Sequence, residues 1–80
     1  MQVSPNPFTS ILSVTMAAKE TGVATCTVRA LTGQSLVTRT FAASSVRSSI
    51  ALDLGSLAPG TYLLEMQIDG ERVVRNVLKE

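Results

Sequence analysis

The sequence predicts an all-β protein, an antiparallel sandwich of about six or seven short strands. Val, Ile and Thr, which favour strands, recur along the whole chain. Apolar and polar residues alternate in several segments, and turn residues separate these segments at regular intervals. No segment has the apolar spacing of an amphipathic helix. An open barrel is the alternative architecture.

Composition limits the function classes that the chain can serve. Its 80 residues, 45% of them hydrophobic, suffice for one domain with one small core. With no His and one Cys, the chain has no imidazole base and no internal disulfide. A net charge of +1 and few aromatic residues argue against nucleic acid as a partner. We therefore expect no enzymatic activity, no cofactor and no metal.

Targeting segments are not evident in the sequence. No apolar run reaches the length of a membrane span, and the N-terminus lacks the basic start and apolar stretch of a signal peptide. The chain is therefore expected to be either a cytoplasmic protein or a piece of a longer one.

The chain starts with a proline-rich segment followed by a strand. Pro5 and Pro7 lack backbone donors, so this segment is expected to be an edge strand or a bend at the start of the domain. Residues 10–16 alternate with apolar side chains at every second position, as in a half-buried strand. A turn is expected at residues 19–22.

A hairpin is predicted next. Residues 24–30 alternate strongly, and Cys26 lies on their apolar face, where a free Cys behaves as a buried, inert hydrophobe. Gly33 can adopt the positive φ of a tight turn. Residues 35–41 are expected to return as the paired strand.

The central part contains a loop and another strand. Residues 42–49 are small and polar, which is typical of a surface loop. Apolar side chains at 50, 52 and 54 share one face, so that Asp53 points away and is expected to be solvated or bonded to loop backbone. Leu57 is a candidate to close the core end, and Pro59 with Gly60 predicts a turn.

The last part carries the strongest local signal, a terminal hairpin. Apolar residues alternate up to Asp69 and Gly70, the dipeptide preferred in type I′ turns. A two-residue loop would place Tyr62 beside Val77 and residue 75 opposite residue 64. Because residue 75 is an Arg and residue 64 a Leu, either the loop is longer or the last strand lies at a sheet edge.

Two further features of this hairpin carry alternative interpretations. Tyr62 at the start of its strand is expected to place its ring in the core and to bond its hydroxyl to nearby backbone, as in the tyrosine corners of immunoglobulin-like sandwiches. Arg72, Arg75 and Lys79 concentrate positive charge in the final strand. That charge either protects an edge strand against aggregation or helps a partner to recognise the strand by strand addition.

Three segments together resemble one known family. They are residues 3–8 (VSPNPF), 28–34 (VRALTGQ) and 52–64 (LDLGSLAPGTYLL). In this order and spacing they resemble the C-terminal sorting domain of type IX secretion, in its type A (Por secretion) form. The basic ending at residues 75–79 is similar to the Lys-rich last strand of that family, although Arg and Asn stand where members often carry Lys.

The resemblance implies an immunoglobulin-like β-sandwich that acts as an address label in Gram-negative bacteria. A cargo protein on its N-terminal side would enter the periplasm by a signal peptide and cross the outer membrane to the cell surface or the medium. A shuttle or translocon component would recognise the domain. A sortase would then remove the domain and link the cargo to an anionic lipopolysaccharide. Residues 1–80 would form one such domain, cleaved upstream, with Met1 added for expression.

The expected recognition surface is the terminal hairpin, with the rest as scaffold. Its candidate residues are Pro59, Gly60, Tyr62, Arg72, Arg75, Val77 and Lys79. The expected structural turns use Pro5, Pro7, Gly33, Asp69 and Gly70. Exposed edges are also expected to permit dimerisation or strand swapping of the isolated domain.

The alternative function is an immunoglobulin-like adhesion or spacer module of a surface protein. A glycan-binding sandwich usually exposes aromatic side chains. Here Phe8, Phe41 and Tyr62 are few and are expected to be buried.

Overall fold

The structure, a computed structural model, describes residues 1–16, 22–68 and 70–80. Over these residues the chain forms seven strands and one short helix. In chain order they are β1 (Gln2–Ser4), β2 (Ile11–Thr15), β3 (Val23–Ala30), β4 (Ser35–Ala42), α1 (Ala43–Ser48), β5 (Ile50–Asp53), β6 (Gly60–Ile68) and β7 (Glu71–Lys79).

The strands form two antiparallel sheets. One has the order β1-β2-β5 and the other the order β4-β3-β6-β7. Alternate side chains of both sheets meet in one core, because successive residues of a strand point to opposite faces. Its largest fully buried members are Phe8, Leu12, Leu54, Leu64, Met66, Val14, Val28, Val46 and Val77. The predicted all-β antiparallel sandwich is confirmed.

The predicted hairpin of β3 and β4 is also confirmed. Gly33 has a φ of 97°, which a residue with a Cβ adopts only with strain. Its N–H donates to the carbonyl of Ala30 at 2.8 Å, and the Ala30 N–H donates to the carbonyl of Gln34 at 2.9 Å. The chain therefore reverses at the expected glycine.

The prediction of a surface loop at residues 42–49 is wrong. Residues Ala43–Ser48 form α1, and the side chains of Ala43 and Val46 are completely buried. These two residues are three positions apart and therefore share one face of the helix. Backbone hydrogen bonds hold the segment, from Ala43 N–H to Gly22 O at 3.1 Å and from Met16 N–H to Val46 O at 3.2 Å. The helix covers one end of the core.

The proline-rich start is both an edge strand and a bend. β1 lies at the edge of the three-stranded sheet, and residues 5–7 form a bend after it, with cis peptide bonds before Pro5 and Pro7. The bend delivers Phe8 to the core and to a parallel bridge with Lys79 at the end of β7. The expected turn at residues 19–22 and the turn residue Asp69 lie, wholly or in part, outside the described residues.

Candidate functional site

The terminal hairpin has the register that a two-residue loop requires. β6 pairs with β7 from Gly60 opposite Lys79 to Ile68 opposite Glu71, and Tyr62 lies opposite Val77, as a two-residue loop requires. Gly70 has the positive φ, 78°, expected of a tight turn. β7 is the edge strand of the four-stranded sheet.

The position of Arg75 shows how a charged residue can lie opposite an apolar one, because β7 is an edge strand. It lies opposite Leu64, whose side chain is fully buried, yet Arg75 itself is exposed. Its Nη1 donates to the carbonyl of Val74 at 3.1 Å. A long side chain at a sheet edge can reach water past its apolar neighbours, as this one does.

Three of the candidate recognition residues are buried. Tyr62 is 8% exposed, Val77 1% and Lys79 6%. The Tyr62 hydroxyl donates a hydrogen bond to the carbonyl of Ala58, four residues earlier, so the expected corner arrangement is confirmed. These side chains hold the hairpin on the sandwich.

Lys79 does not extend the exposed basic surface of β7, because its side chain is buried. Its Nζ donates to the carbonyl of Leu57 and, at 3.3 Å, to the carbonyl of Gly55. A buried ammonium group needs such acceptors, because an unpaired buried charge is very costly. The loop between β5 and β6 supplies them, and Lys79 thus ties the end of β7 to that loop.

Arg72 belongs to an ion-pair network on the outer face of the sheet. Its Nε lies 3.3 Å from Glu65 Oε1, and Arg29 Nε lies 3.1 Å from Glu65 Oε2. The carboxylate therefore connects β3, β6 and β7. The Arg72 side chain nevertheless remains 60% exposed and can meet a partner. Glu65 is not among the site residues predicted from the sequence, although an acidic residue within an apolar strand is a signal that can reveal such an ion pair.

The outer edge of β7 is only partly occupied. At its end, Leu78 N–H donates to Asn6 Oδ1, Phe8 N–H donates to Leu78 O, and Glu80 N–H donates to Phe8 O, each at 2.9 Å. Backbone groups of alternate residues point to the same side of an edge strand. The N–H groups of Arg72, Val74 and Asn76 therefore also point outward, and they find no acceptor in the part of the chain that the structure describes.

The remaining candidates for chemistry have structural roles. Cys26 is 2% exposed, and burial raises the pKa of its thiol from 9.0 to about 11, so the reactive thiolate is disfavoured. Asp53 Oδ1 accepts a hydrogen bond from Gly55 N–H at 3.1 Å, as expected for a carboxylate bonded to loop backbone. Within residues 1–16, 22–68 and 70–80, no cluster of three or more His, Cys, Asp or Glu could hold a metal ion.

Aromatic side chains and membrane-spanning segments give no other candidate site. Phe8 and Tyr62 are buried as expected, whereas Phe41 is half-buried. No helix in the described residues has the length and apolar character to cross a membrane.

Comparison with known families identifies the chain. The family model described as "Secretion system C-terminal sorting domain" matches residues 2–80. Comparison with curated proteins gave no match. The matching family is one of sorting signals and is not a known enzyme family. The chain therefore belongs to the family of type IX secretion C-terminal sorting domains, which direct export across the outer membrane to the cell surface or the medium.

Proposed function

We propose that residues 1–80 form one domain that carries a protein on its N-terminal side through the type IX system, and that this system recognises the terminal hairpin. The observation that carries the proposal is the free part of the β7 edge. There, outward N–H groups at residues 72, 74 and 76 lie beside the exposed guanidinium groups of Arg72 and Arg75.

The proposed mode of recognition is strand addition. An extended segment of an outer-membrane shuttle or translocon component pairs with residues 72–76, and main-chain hydrogen bonds supply affinity. The two arginines orient the partner and speed association. The exposed side chains of Val74 and Leu78, on the outer face, add apolar contact.

The other candidate residues position this edge. Tyr62, Val77 and Lys79 fix the hairpin to the core, as their burial and hydrogen bonds indicate. Gly60 begins β6 opposite Lys79 with a φ of 152°, and Pro59 precedes it in the bend. In this proposal a partner contacts Arg72 and Arg75. The other five candidate residues hold the β7 edge in position and do not contact the partner.

Processing completes the proposed function. A sortase cleaves upstream of the folded domain and transfers the cargo to an anionic lipopolysaccharide. The family assignment supports this step, and the domain itself takes no part in the chemistry.

The test uses a fluorescent cargo that has a signal peptide and is fused to this domain in a type IX-competent cell. Asn76→Pro removes an outward N–H that forms no hydrogen bond within the described residues, and Pro is tolerated in edge strands at such positions. We expect Asn76→Pro to reduce export strongly and the matched Asn76→Ala variant to export normally. We also expect the double variant Arg72→Gln/Arg75→Gln to export more slowly.

Folding is measured in parallel by urea denaturation of each purified domain. Normal export of a folded Asn76→Pro variant would overturn recognition by strand addition at β7. Equal loss in Asn76→Ala would show instead that the side chain is what the partner reads.

A further inference from the structure

The edge strand β7 carries two opposite charges at equal distances from its residue Val73. Glu71 lies two positions before Val73, and Arg75 lies two positions after it. The three side chains share one face of the strand, because they lie opposite residues 68, 66 and 64, which are all buried in the core. Val73 is half-buried and packs against that core, whereas Glu71 and Arg75 are exposed.

The two charges do not meet within one copy of the chain. The Cα atoms of residues four positions apart in a strand are about 13 Å apart, and their side chains stand roughly perpendicular to the sheet. Neither Glu71 nor Arg75 forms an ion pair with a described side chain. Arg72 differs, because its charge is matched by Glu65 of the same chain. The edge therefore presents one charge of each sign in addition to its outward backbone groups.

A two-fold axis at Val73 would bring these charges together between two copies. Antiparallel pairing about this axis places Glu71 of each copy opposite Arg75 of the other, and Val73 opposite Val73. These are non-hydrogen-bonded pairs, in which opposite Cα atoms are only about 4.5 Å apart. The outward backbone groups of Arg72 in each copy exchange hydrogen bonds with those of Val74 in the other.

The alternative two-fold registers are less favourable. Outward N–H groups lie at even-numbered positions of β7, so even positions have to oppose even positions. An axis at Arg72 opposes its charge to the same charge of the other copy. An axis at Val74 places Gly70 of one copy beside Leu78 of the other, where Asn6 already bonds. An axis further along places β7 itself at this occupied position.

We propose that the β7 edge binds a second copy of the chain, so that the two four-stranded sheets join at β7 in a symmetric dimer. The second copy supplies an acidic, an apolar and a basic residue at alternate positions. In an antiparallel strand this order complements Arg75, Val73 and Glu71. Only about five residues of each strand pair, so the contact is smaller than a stable interface and the dimer dissociates readily.

The dimer would also regulate access to β7. It covers the N–H groups of residues 72 and 74, which the proposed function offers to the secretion system. A second copy and a partner would then exclude each other, and the concentration of the domain would set the fraction with an open edge. This consequence rests on the proposed function, whereas the dimer itself does not.

The first test measures self-association of the complete 80-residue domain by sedimentation equilibrium. We expect a wild-type dimer with a dissociation constant on the order of 1 mM or less. Glu71→Arg and Arg75→Glu should each weaken it at least about tenfold, because two symmetric ion pairs become two repulsive pairs. An equimolar mixture of these two variants should associate again, since each Arg then faces a Glu. The double variant Glu71→Arg/Arg75→Glu should dimerise like the wild type.

The matched control is Arg39→Glu. Arg39 is exposed on β4, the strand at the opposite edge of the same sheet. Its replacement makes the same charge change as Arg75→Glu but should leave the dissociation constant unchanged. Circular dichroism of each variant checks that the domain remains folded.

The second test detects the strand register by disulfide cross-linking. Two copies of Val73→Cys would lie opposite each other with Cα atoms about 4.5 Å apart, within the range that a disulfide requires. We expect this variant to form a covalent dimer under mild oxidation. Asn76→Cys should not, because in this register its two copies would be about 20 Å apart. Cys26 is buried and takes no part.

Several results would overturn the proposal. They are no self-association of the wild-type domain at about 1 mM, association that neither charge reversal weakens, and a mixture of the two variants that stays monomeric. Dimers in which Val73→Cys fails to cross-link would indicate another interface or an exchange of β7 between copies. Neither test uses export, so failure of the dimer is distinguishable from failure of recognition by the secretion system.

Discussion

The Asn6 side-chain oxygen accepts a hydrogen bond of 2.9 Å from the backbone N–H of Leu78, 72 positions further along the chain. The backbone of Phe8 adds two more bonds, to Leu78 and Glu80. The first residues of the domain thereby occupy the end of the β7 edge and fix where its free part begins.

Replacing Asn6 tests this connection. Asn6→Ala leaves the Leu78 N–H without its acceptor, so we expect the free energy of unfolding to fall by about 1 kcal/mol. Asn6→Asp keeps an acceptor oxygen and should lose less. Urea denaturation at neutral pH measures both, and equal stability of Asn6→Ala and the wild type would contradict a stabilising role for this bond.

Lys79 should contribute more to the free energy of unfolding than Arg72, an exposed arginine of the same strand. Lys79→Met keeps the length of the side chain but leaves the carbonyls of Gly55 and Leu57 without their charged donor, which should cost about 1–3 kcal/mol. Arg72→Met, which removes a largely exposed charge, should cost less than about 1 kcal/mol. Chemical denaturation of the two variants gives the comparison. If Lys79→Met matched the wild type in stability yet blocked export, Lys79 would return to the recognised surface.

The hydroxyl of Tyr62 offers a smaller and cleaner change. Tyr62→Phe keeps the buried ring and removes only the donor to the Ala58 carbonyl, so a loss of about 1 kcal/mol is expected. Thermal and urea unfolding should agree on this value. A more stable variant would mean that the Ala58 carbonyl finds water at no cost.

Alternation of apolar residues predicts most of the strands correctly, because it reports directly on which face of a strand is buried. The turn at Gly33 follows from a local rule, and the position of Tyr62 opposite Val77 follows from a two-residue loop, which the sequence left open. The conflict between Arg75 and Leu64 left a longer loop or an edge strand open, and the sheet order shows that β7 is an edge strand. The role of the exposed residues in recognition stays a prediction.

Local sequence rules did not predict structure that depends on packing between segments distant in the sequence. The helix at Ala43–Ser48 has no side-chain cap and one turn of apolar signal, Ala43 and Val46, within a Ser-rich segment. Burial of Lys79 depends on two carbonyls of a loop more than twenty residues away. Propensity and charge pattern contain no information on where those carbonyls point.

Cys26 provides a pH-dependent signature of core packing. Because burial raises its pKa from 9.0 to about 11, the folded protein retains a proton that the unfolded chain releases. Stability is therefore unaffected by Cys26 below about pH 9 and falls as the pH rises from 9 toward 11, by up to about 1.4 kcal/mol per pH unit.

The Cys26→Ala variant isolates this effect. Without the thiol, the free energy of unfolding of this variant should fall less between pH 9 and 11 than that of the wild type. The difference in free energy of unfolding between the two proteins should therefore change over this pH range. Labelling of the wild-type thiol by iodoacetamide at pH 8 should require unfolding. Rapid labelling of the folded protein would show that the thiol is accessible.

The parallel bridge between Phe8 and Lys79 also has a mechanical consequence. A load applied between a cargo on the N-terminal side and a partner holding β7 would be carried by the bonds that Asn6 and Phe8 make to Leu78 and Glu80. Forced unfolding is governed by the rate of barrier crossing, so Asn6→Ala should unfold at lower force in a single-molecule pulling experiment, and an unchanged force would place the resistance elsewhere.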